Sequence, residues 1–206
     1  MKDYKNKIRN YYDGLIKTVN NLDLDEINQS MNAIMEAYER DANIYICGNG
    51  GSAATASHFQ NDFNKGISER LSKKFNFVCL NDNIATIMAI ANDSGYDEVF
   101  SMQLEGKIKS TDLLIAISGS GNSKNIIRAV EHAKSVGAKV IGVSGFDGGK
   151  LRKMADYNMH ADIMCMQITE DIHMTFDHMM MKIFMGQLTE SIQVNLDHKM
   201  LEALKA

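Results

Sequence analysis

Two glycine- and serine-rich segments have the residue types expected of a phosphate site. The first covers residues 48–53 (GNGGSA) and the second covers residues 118–123 (SGSGNS). Glycines let backbone N–H groups face a ligand, and hydroxyl groups add further donors. The second segment has three hydroxyls and no lysine, which suits a phosphate monoester better than a metal-bound triphosphate. We predict that Ser118, Ser120 and Ser123 hold the phosphate.

The first segment admits three interpretations. A Walker loop is excluded because no Lys-Ser/Thr follows the glycines. A dinucleotide fingerprint fits formally at Gly48, Gly50 and Ala53, but the strand that should supply a ribose-binding acid begins only at Phe77. A plain strand-to-helix turn with a serine N-cap stays open for both segments. In the ligand interpretation, the contacts to an extended, hydroxylated substrate come from Asn49, Gly50, Gly51 and Ser52.

A second group of residues has the types needed for proton transfer. His58 and Asp62 are four residues apart, so on a helix they share one face. A later apolar stretch carries four more ionisable groups within about two and a half helical turns: Glu170, His173, Asp177 and His178. Burying such groups is costly unless they pair or bind something. An ion pair between His173 and Asp177 at i,i+4 spacing is the structural alternative.

Short apolar runs that end in glycine or serine predict the strands that position these groups. The runs cover 43–47, 77–80, 112–117, 139–144 and, more weakly, 157–161. Helical stretches lie between them, at 52–64, 83–91, 97–108, 123–136 and 149–155. This alternation predicts an α/β fold with a doubly wound, five-stranded parallel sheet. Both loops then lie at the carboxyl ends of strands, where such sheets bind ligands.

Helices flank the predicted sheet at both ends of the chain. The first forty residues form two amphipathic helices, separated at Asn20-Asn21, with Asp23 or Asp25 as the cap of the second. The first helix has an apolar stripe at helical spacing, formed by Ile8, Tyr12, Leu15, Ile16 and Val19. The chain is predicted to be helical again over 169–206, with a break near Asn195.

Composition narrows the class of protein. The chain has 206 residues, 45% of them hydrophobic, and a net charge of −4, which fits one globular domain and does not indicate nucleic acid or an anionic membrane as a partner. No apolar run approaches the roughly 18 residues of a membrane span, and the first residues lack a secretory h-region. We therefore expect a soluble, cytoplasmic protein. Cys47, Cys79 and Cys165 are predicted to be reduced, buried thiols.

Taken together, the motifs resemble one known family. They occur in a single order: GNGGSA at 48–53, H-F at 58–59, AND at 91–93, SGSGNS at 118–123, GFDGG at 145–149 and EDIH-x4-H at 170–178. Over roughly residues 5–190 the chain resembles the sugar isomerase (SIS) domain, in its phosphoheptose isomerase branch. The combined motifs are far more specific than either loop alone.

The resemblance implies a fold, a reaction and an assembly. It implies a single SIS domain over 1–206, in which the helical pair 1–40 packs in a homotetramer with active sites at subunit interfaces. The implied reaction converts sedoheptulose 7-phosphate into D-glycero-D-manno-heptose 7-phosphate. This aldose–ketose isomerisation passes through an enediol and needs no nucleotide or redox cofactor. Some members carry zinc in the site.

The family's functional residues carry over onto named positions. The implied catalytic residues are Asp62 and His178, and the implied metal ligands are His58, Asp62, Glu170 and His178. Beyond the first loop, the implied substrate-binding residues are Asn92, Asp93, Ser118, Gly119, Ser120, Ser123 and Glu170.

Three positions depart from the family pattern. Asp62 replaces a glutamate, which withdraws the carboxylate by about 1.5 Å, and such a shift can cost on the order of 10²-fold in rate. Glu170 replaces a glutamine, and Gly119 replaces a threonine. Two histidines with two carboxylates form a better cage for a divalent metal than the family's set, so we expect a zinc-like ion here.

Two alternatives to this enzyme remain. One is a non-catalytic SIS-domain protein that binds or senses a sugar phosphate, of the type that associates with the bacterial replication initiator. The other is an isomerase of a different ketose phosphate. Asp62, Glu170 and His178 are all ionisable, and this favours an enzyme.

Overall fold

The structure, a computed structural model, describes residues 2–203, except for the side chains of Arg70 and of residues 190–203. Within that part of the chain, five parallel strands form one sheet in the order β2-β1-β3-β4-β5. The strands are β1 (Ile44–Gly48), β2 (Phe77–Cys79), β3 (Leu113–Ser118), β4 (Lys139–Gly145) and β5 (Tyr157–Ala161). The α/β fold with a doubly wound, five-stranded parallel sheet is confirmed, and each strand lies within one residue of its predicted bounds.

Eight α-helices surround the sheet in the described chain. They are α1 (Lys5–Asn20), α2 (Leu24–Glu39), α3 (Gly51–Asn61), α4 (Ile84–Asp93), α5 (Ser101–Leu104), α6 (Lys124–Ser135), α7 (Gly149–Met154) and α8 (Met166–Ala203). A π-helical segment (Asp62–Ile67) and a 3₁₀ turn (Ser68–Arg70) continue α3. The predicted start of α2 is confirmed, since Asp23 Oδ1 accepts the N–H groups of Asp25 and Glu26 at 3.0 Å.

Two helical predictions were wrong. The stretch 97–108 is a 3₁₀ turn (Tyr96–Glu98) followed by the short α5, which ends because Gly106 adopts a positive φ of 68°. The helix α8 runs through Asn195 without the predicted break, since an asparagine costs a helix interior less than about 1 kcal/mol and no proline follows. Residues 204–206 of that prediction lie outside the described residues.

Side chains of the strands alternate between two apolar cores, one on each face of the sheet. Ile44 and Ile46 pack on the face that α2, α3 and α8 cover, where the fully buried side chains include Ile34, Phe59 and Phe176. Tyr45 and Cys47 pack on the opposite face, against α5, α6 and α7. This alternation follows from the two-residue period of a strand. The sheet is thus covered on both faces, and its carboxyl edge is left for a site.

The first helix contacts the rest of the chain along one side only. Tyr11 donates a hydrogen bond to Asp171 at 2.5 Å, and Leu15 packs on the core. Most of the predicted apolar stripe, by contrast, is exposed: Ile8, Tyr12, Ile16 and Val19.

Two smaller predictions concern cysteines and membranes. All three cysteines are free, and Cys47 and Cys79 are buried. Cys165 is only half-buried, because it lies in the connection that leads into α8, so that part of the prediction was wrong. Among the described helices, none is long and apolar enough to cross a bilayer.

Candidate functional site

A polar cleft opens at the carboxyl edge of the sheet, between β1 and β3. Strand order reverses at this point, and open α/β sheets bind ligands there because the two following loops diverge. The cleft has a volume of about 170 Å³. Its lining residues are Asn49, Ser52, Ile117, Ser118, Gly119, Ser120, Ser123, Met166 and Glu170. The structure therefore brings the two predicted loops together, with Glu170 from α8 as a third wall.

Both helices that begin at the cleft lack a side-chain cap. Gly50, with a φ of 56°, occupies the N-cap position of α3, and Ser52 lies inside the helix. Ser123 is the N-cap of α6, but its hydroxyl accepts a hydrogen bond from Ser118 at 3.2 Å and makes no capping bond. Neither Ser52 nor Ser123 therefore caps its helix with a side-chain hydrogen bond. Two uncapped helix N-termini face the cleft and favour an anion.

A third glycine-rich segment, residues 145–149, supports the second loop from behind. A Cβ on Gly121 would lie 2.0 Å from the carbonyl oxygen of Gly148, and the φ of Gly121 is 64°. The N–H of Gly145 donates to the carbonyl of Gly119 at 2.9 Å. A Cβ on Gly119 would also lie 2.7 Å from Met166 Sδ. Gly121 therefore has no room for a side chain, because its contacts are with backbone, whereas a side chain at Gly119 would require only that the end of Met166 move.

Four ionisable side chains meet between α3 and α8: His58, Asp62, Asp177 and His178. One ligand atom from each lies within 4.8 Å of all the others. Nε2 of His58 lies 3.1 Å from Nε2 of His178, 3.4 Å from Asp62 Oδ2 and 3.8 Å from Asp177 Oδ2. A tetrahedral zinc ion with bonds of about 2.1 Å separates its ligand atoms by about 3.4 Å. The spacing and the donor types of this group therefore fit a divalent metal.

Asp177 is fully buried, and its surroundings also fit a bound cation. Neither carboxylate oxygen has a hydrogen-bond partner among the described residues. Burial, followed by the nearby Asp62 carboxylate, raises the pKa of Asp177 to about 8. A buried carboxylate without donors is costly, and a cation between it and His58 would remove that cost.

The alternative in which Asp177 pairs with His173 is wrong. No hydrogen bond or ion pair joins these two described side chains, because Asp177 Oδ2 lies towards His58 instead. His173 is fully buried without a hydrogen-bond partner on either ring nitrogen, and burial lowers its pKa to about 4. Sequence reasoning thus assigned Asp177 a structural role and missed it as a member of the group. The signal was present, since Asp177 directly precedes His178 on an apolar helix.

Glu170 lies apart from the four-residue group, next to the first turn of α3. A Cβ on Gly51 would come within 2.5 Å of Glu170 Oε1, so the carboxylate lies against the first turn of α3. His58 is two turns further along α3, about 10 Å by helix rise, and Asp177 is two turns beyond Glu170 on α8. The structure therefore places Glu170 in the cleft, and Asp177 completes the group in which the sequence analysis had put Glu170.

Asn92 and Asp93 lie elsewhere. They end α4, both are exposed, and Asn92 Nδ2 donates to Asp93 Oδ1 at 2.8 Å. Neither residue lines the cleft of this chain. Two residues behind the cleft, Tyr96 and Asn125, went unnoticed in the sequence, although both hydrogen-bond Asn49.

Comparisons with known proteins identify the family of the chain. Residues 3–145 match the family model described as "SIS domain". The chain is 42% identical to the phosphoheptose isomerase of Helicobacter pylori over 132 residues, 64% of this chain and 68% of that protein. It is 37% identical to the probable phosphoheptose isomerase of Thermoplasma acidophilum over 78% of this chain and 87% of that protein. 

A solved structure gives the same result. The phosphoheptose isomerase from Neisseria gonorrhoeae superposes with a TM-score of 0.81 at 28% identity, covering 88% of this chain and 98% of that one. The chain belongs to the SIS-domain family and, within it, to the phosphoheptose isomerases.

Proposed function

We propose that the protein is an aldose–ketose isomerase that interconverts sedoheptulose 7-phosphate and D-glycero-D-manno-heptose 7-phosphate. Relatives named phosphoheptose isomerase support the reaction. The observation that carries the proposal is the pairing of an anion cleft with a group of proton-transfer residues two helical turns away. An extended sugar phosphate can reach from one to the other, with its phosphate in the cleft and its carbonyl end near the histidines.

The phosphate end is bound without a cationic side chain. The proposed donors are the hydroxyls of Ser118, Ser120 and Ser123, together with backbone N–H groups at the starts of α3 and α6. Ser52 lines the same cleft from the first turn of α3. Gly50, Gly51 and Glu170 are proposed to contact the hydroxylated carbons of the substrate, because Glu170 lines the cleft with Ser52 and lies against Gly51 at the start of α3.

The proposed chemistry moves one proton between two adjacent carbons. A carboxylate oxygen of Asp62 removes a proton from C1 while the C2 carbonyl oxygen gains one from His178, which yields the enediol. The protonated Asp62 then delivers its proton to C2, and the O1 hydroxyl returns a proton to His178, which leaves the C1 aldehyde. His178 is exposed and accessible to substrate, whereas Asp62 is buried, with its Oδ1 held by Asn61 Nδ2 at 3.0 Å.

We further propose that a divalent ion, zinc by its donor set, would be held by His58, Asp62, Asp177 and His178. His178 faces the group with Nε2, so Nδ1 is then the nitrogen that exchanges protons with the substrate. The unpartnered, buried carboxylate of Asp177 supports this proposal. When bound, such an ion polarises substrate oxygens and stabilises negative charge on them. Glu170 was the fourth ligand implied by the family pattern, and its place in the cleft supports the substrate contact rather than the metal contact.

A cytoplasmic homotetramer with interfacial active sites is the proposed assembly. Exposed apolar side chains on α1 and α4, among them Ile8, Ile16, Ile84 and Met88, support a role for these helices in packing. The helical pair 1–40 would contribute the α1 surface. Asn92 and Asp93 end α4, so an interface there would bring them towards a neighbouring cleft.

The decisive experiment incubates protein purified without chelator with sedoheptulose 7-phosphate in D₂O. We expect the aldose to form and to carry deuterium at C2, because the proton passes through a side chain that exchanges with solvent. His178→Gln should abolish turnover, while His132→Gln on α6, outside the site, should not. If no aldose forms with zinc supplied while the sugar phosphate still binds, the protein is a sugar-phosphate-binding protein and the proposed reaction is wrong. Conversion of a shorter ketose phosphate alone would reassign the substrate.

A further inference from the structure

Asn49 lies in the first loop, half-buried at the edge of the cleft. Its side chain makes three hydrogen bonds. Oδ1 accepts from the Tyr96 hydroxyl at 2.8 Å and from Asn125 Nδ2 at 2.9 Å, while Nδ2 donates to Asn125 Oδ1 at 2.8 Å. Two asparagine side chains thus bind each other reciprocally, one after β1 and one in the first turn of α6.

The backbone of α6 determines which terminal atom of the Asn125 side chain is the oxygen and which is the nitrogen. Asn125 is 2% exposed, and its Oδ1 also accepts the N–H of Ile126 at 3.0 Å. That bond assigns the oxygen of Asn125 and so makes its amide nitrogen the donor to Asn49. The oxygen of Asn49 must then face Asn125 Nδ2 and the Tyr96 hydroxyl, and the nitrogen of Asn49 must face Asn125 Oδ1.

The hydrogen-bonding capacity of Asn49 can now be counted. An amide oxygen accepts two hydrogen bonds, and both are made; an amide nitrogen donates two, and one is made to a described residue. One N–H of Asn49 is left at the cleft, and it can serve only an acceptor. We propose that Asn125 and Tyr96 are positioning residues that lock the Asn49 amide so that this N–H is presented to the phosphate end of the ligand. This inference rests on the proposed function, because it assumes that the cleft takes a phosphate.

The two positioning residues differ in how much they contribute. Asn125 is buried and makes two of the three hydrogen bonds of the Asn49 amide, so its replacement should release the amide from its orientation. Tyr96 is 56% exposed and only adds a second donor to an oxygen that Asn125 already binds. Its loss should loosen the amide without turning it.

The test replaces Asn125 with aspartate. The introduced carboxylate places an oxygen opposite Asn49 Oδ1 where the wild type has an N–H donor. Turning the Asn49 amide only moves this O···O contact to the other carboxylate oxygen, so the reciprocal pair is lost and the free N–H of Asn49 is no longer held at the cleft. We expect the dissociation constant of inorganic phosphate, measured by calorimetry on the zinc-loaded protein, to rise at least about tenfold, which corresponds to the loss of one charge-assisted hydrogen bond. In turnover assays KM should rise with little change in kcat. Asn28→Asp, an exposed site on α2, controls for the change in net charge, and Tyr96→Phe perturbs the same amide without adding a charge near the cleft.

Tyr96→Phe keeps the inference testable if the buried variant does not fold. We expect phosphate affinity to fall about two- to fivefold, with the melting temperature unchanged. Equal phosphate affinity of both folded variants and the wild type would overturn the inference, and so would a fall in kcat and melting temperature without a change in KM. If the wild-type protein itself binds neither phosphate nor the sugar phosphate, the phosphate cleft and this inference both fail. A wild type that binds phosphate but does not isomerise sugars would reject only the proposed reaction.

Discussion

The imidazoles of His58 and His178, on two different helices, face each other with their Nε2 atoms 3.1 Å apart. His58 Nε2 also has two carboxylate oxygens nearby, Asp62 Oδ2 at 3.4 Å and Asp177 Oδ2 at 3.8 Å. Two N–H groups cannot point at each other across this distance, so only one of the two Nε2 atoms can act as the donor in this contact. A shared cation satisfies both nitrogens and both carboxylates at once.

The ligand set can be tested by replacing Asp177 and Glu170, two acidic residues of α8, one at a time. Asp177→Asn should weaken the binding of one zinc ion per chain by at least about tenfold, because it removes a charged oxygen from a four-ligand group. Glu170→Gln, two turns away, should leave zinc affinity within about twofold of the wild type. Competition with a chromophoric chelator measures both affinities without any activity assay. Loss of zinc in Glu170→Gln with retention in Asp177→Asn would reverse the assignment.

The loops were predictable from the sequence because the glycines and serines sit where strands end, and parallel strands end on one edge. The separate places of Glu170, in the cleft, and Asp177, in the four-residue group, were not predictable in the same way. These roles depend on the relative position of α8 and α3 along their axes, which places Glu170 next to Gly51 and His178 next to His58. No spacing within one segment fixes that offset, because apolar packing between helices sets it. The pair formed by Asn49 and Asn125 is hidden for the same reason, since its members are distant in the chain.

The phosphate cleft makes a second prediction. Ser123→Ala removes a hydroxyl that receives a hydrogen bond from Ser118 and lies at the start of α6. We expect phosphate affinity to fall about tenfold, with zinc affinity unchanged, because one donor to a charged ligand is lost. Titration with inorganic phosphate provides the measurement. Ser135→Ala, at the other end of α6, is the matched control, and an equal effect of both changes would exclude a specific contact.

His173 predicts an acid sensitivity of the fold. Its pKa is lowered by burial to about 4, from 6.5 in an unfolded chain, so between these values the unfolded state binds more protons. Stability is therefore present above pH 6.5 and is lost as the pH falls towards 4, by up to about 3 kcal/mol. His173→Gln, which does not titrate, should lose less stability over this window. The measurement is the difference in free energy of unfolding between variant and wild type, both with chelator present.

That difference isolates His173 from Asp177. The raised pKa of Asp177 has the opposite sign: its contribution is present at low pH and is lost as the pH rises towards 8. Both proteins contain Asp177, so its contribution cancels. A difference that stays constant from pH 7 to pH 4.5 would contradict a neutral, buried His173.

The apolar stripe of α1 makes the last prediction. Ile8, Tyr12 and Ile16 follow one another at four-residue spacing, and each is between 54% and 57% exposed in the single chain. Leaving such a stripe in water costs about 25 cal/mol per Å² of apolar surface, so a second copy of the chain should cover it. Replacing Ile8 and Ile16 with glutamate should shift the assembly to a smaller species in sedimentation velocity while circular dichroism stays unchanged. Lys17→Glu, an exposed position on α1 outside the stripe, should leave the assembly intact. Since the serines and the backbone of the cleft come from one chain, the smaller species should still bind phosphate, and a wild-type assembly size in the double variant would place the interface elsewhere.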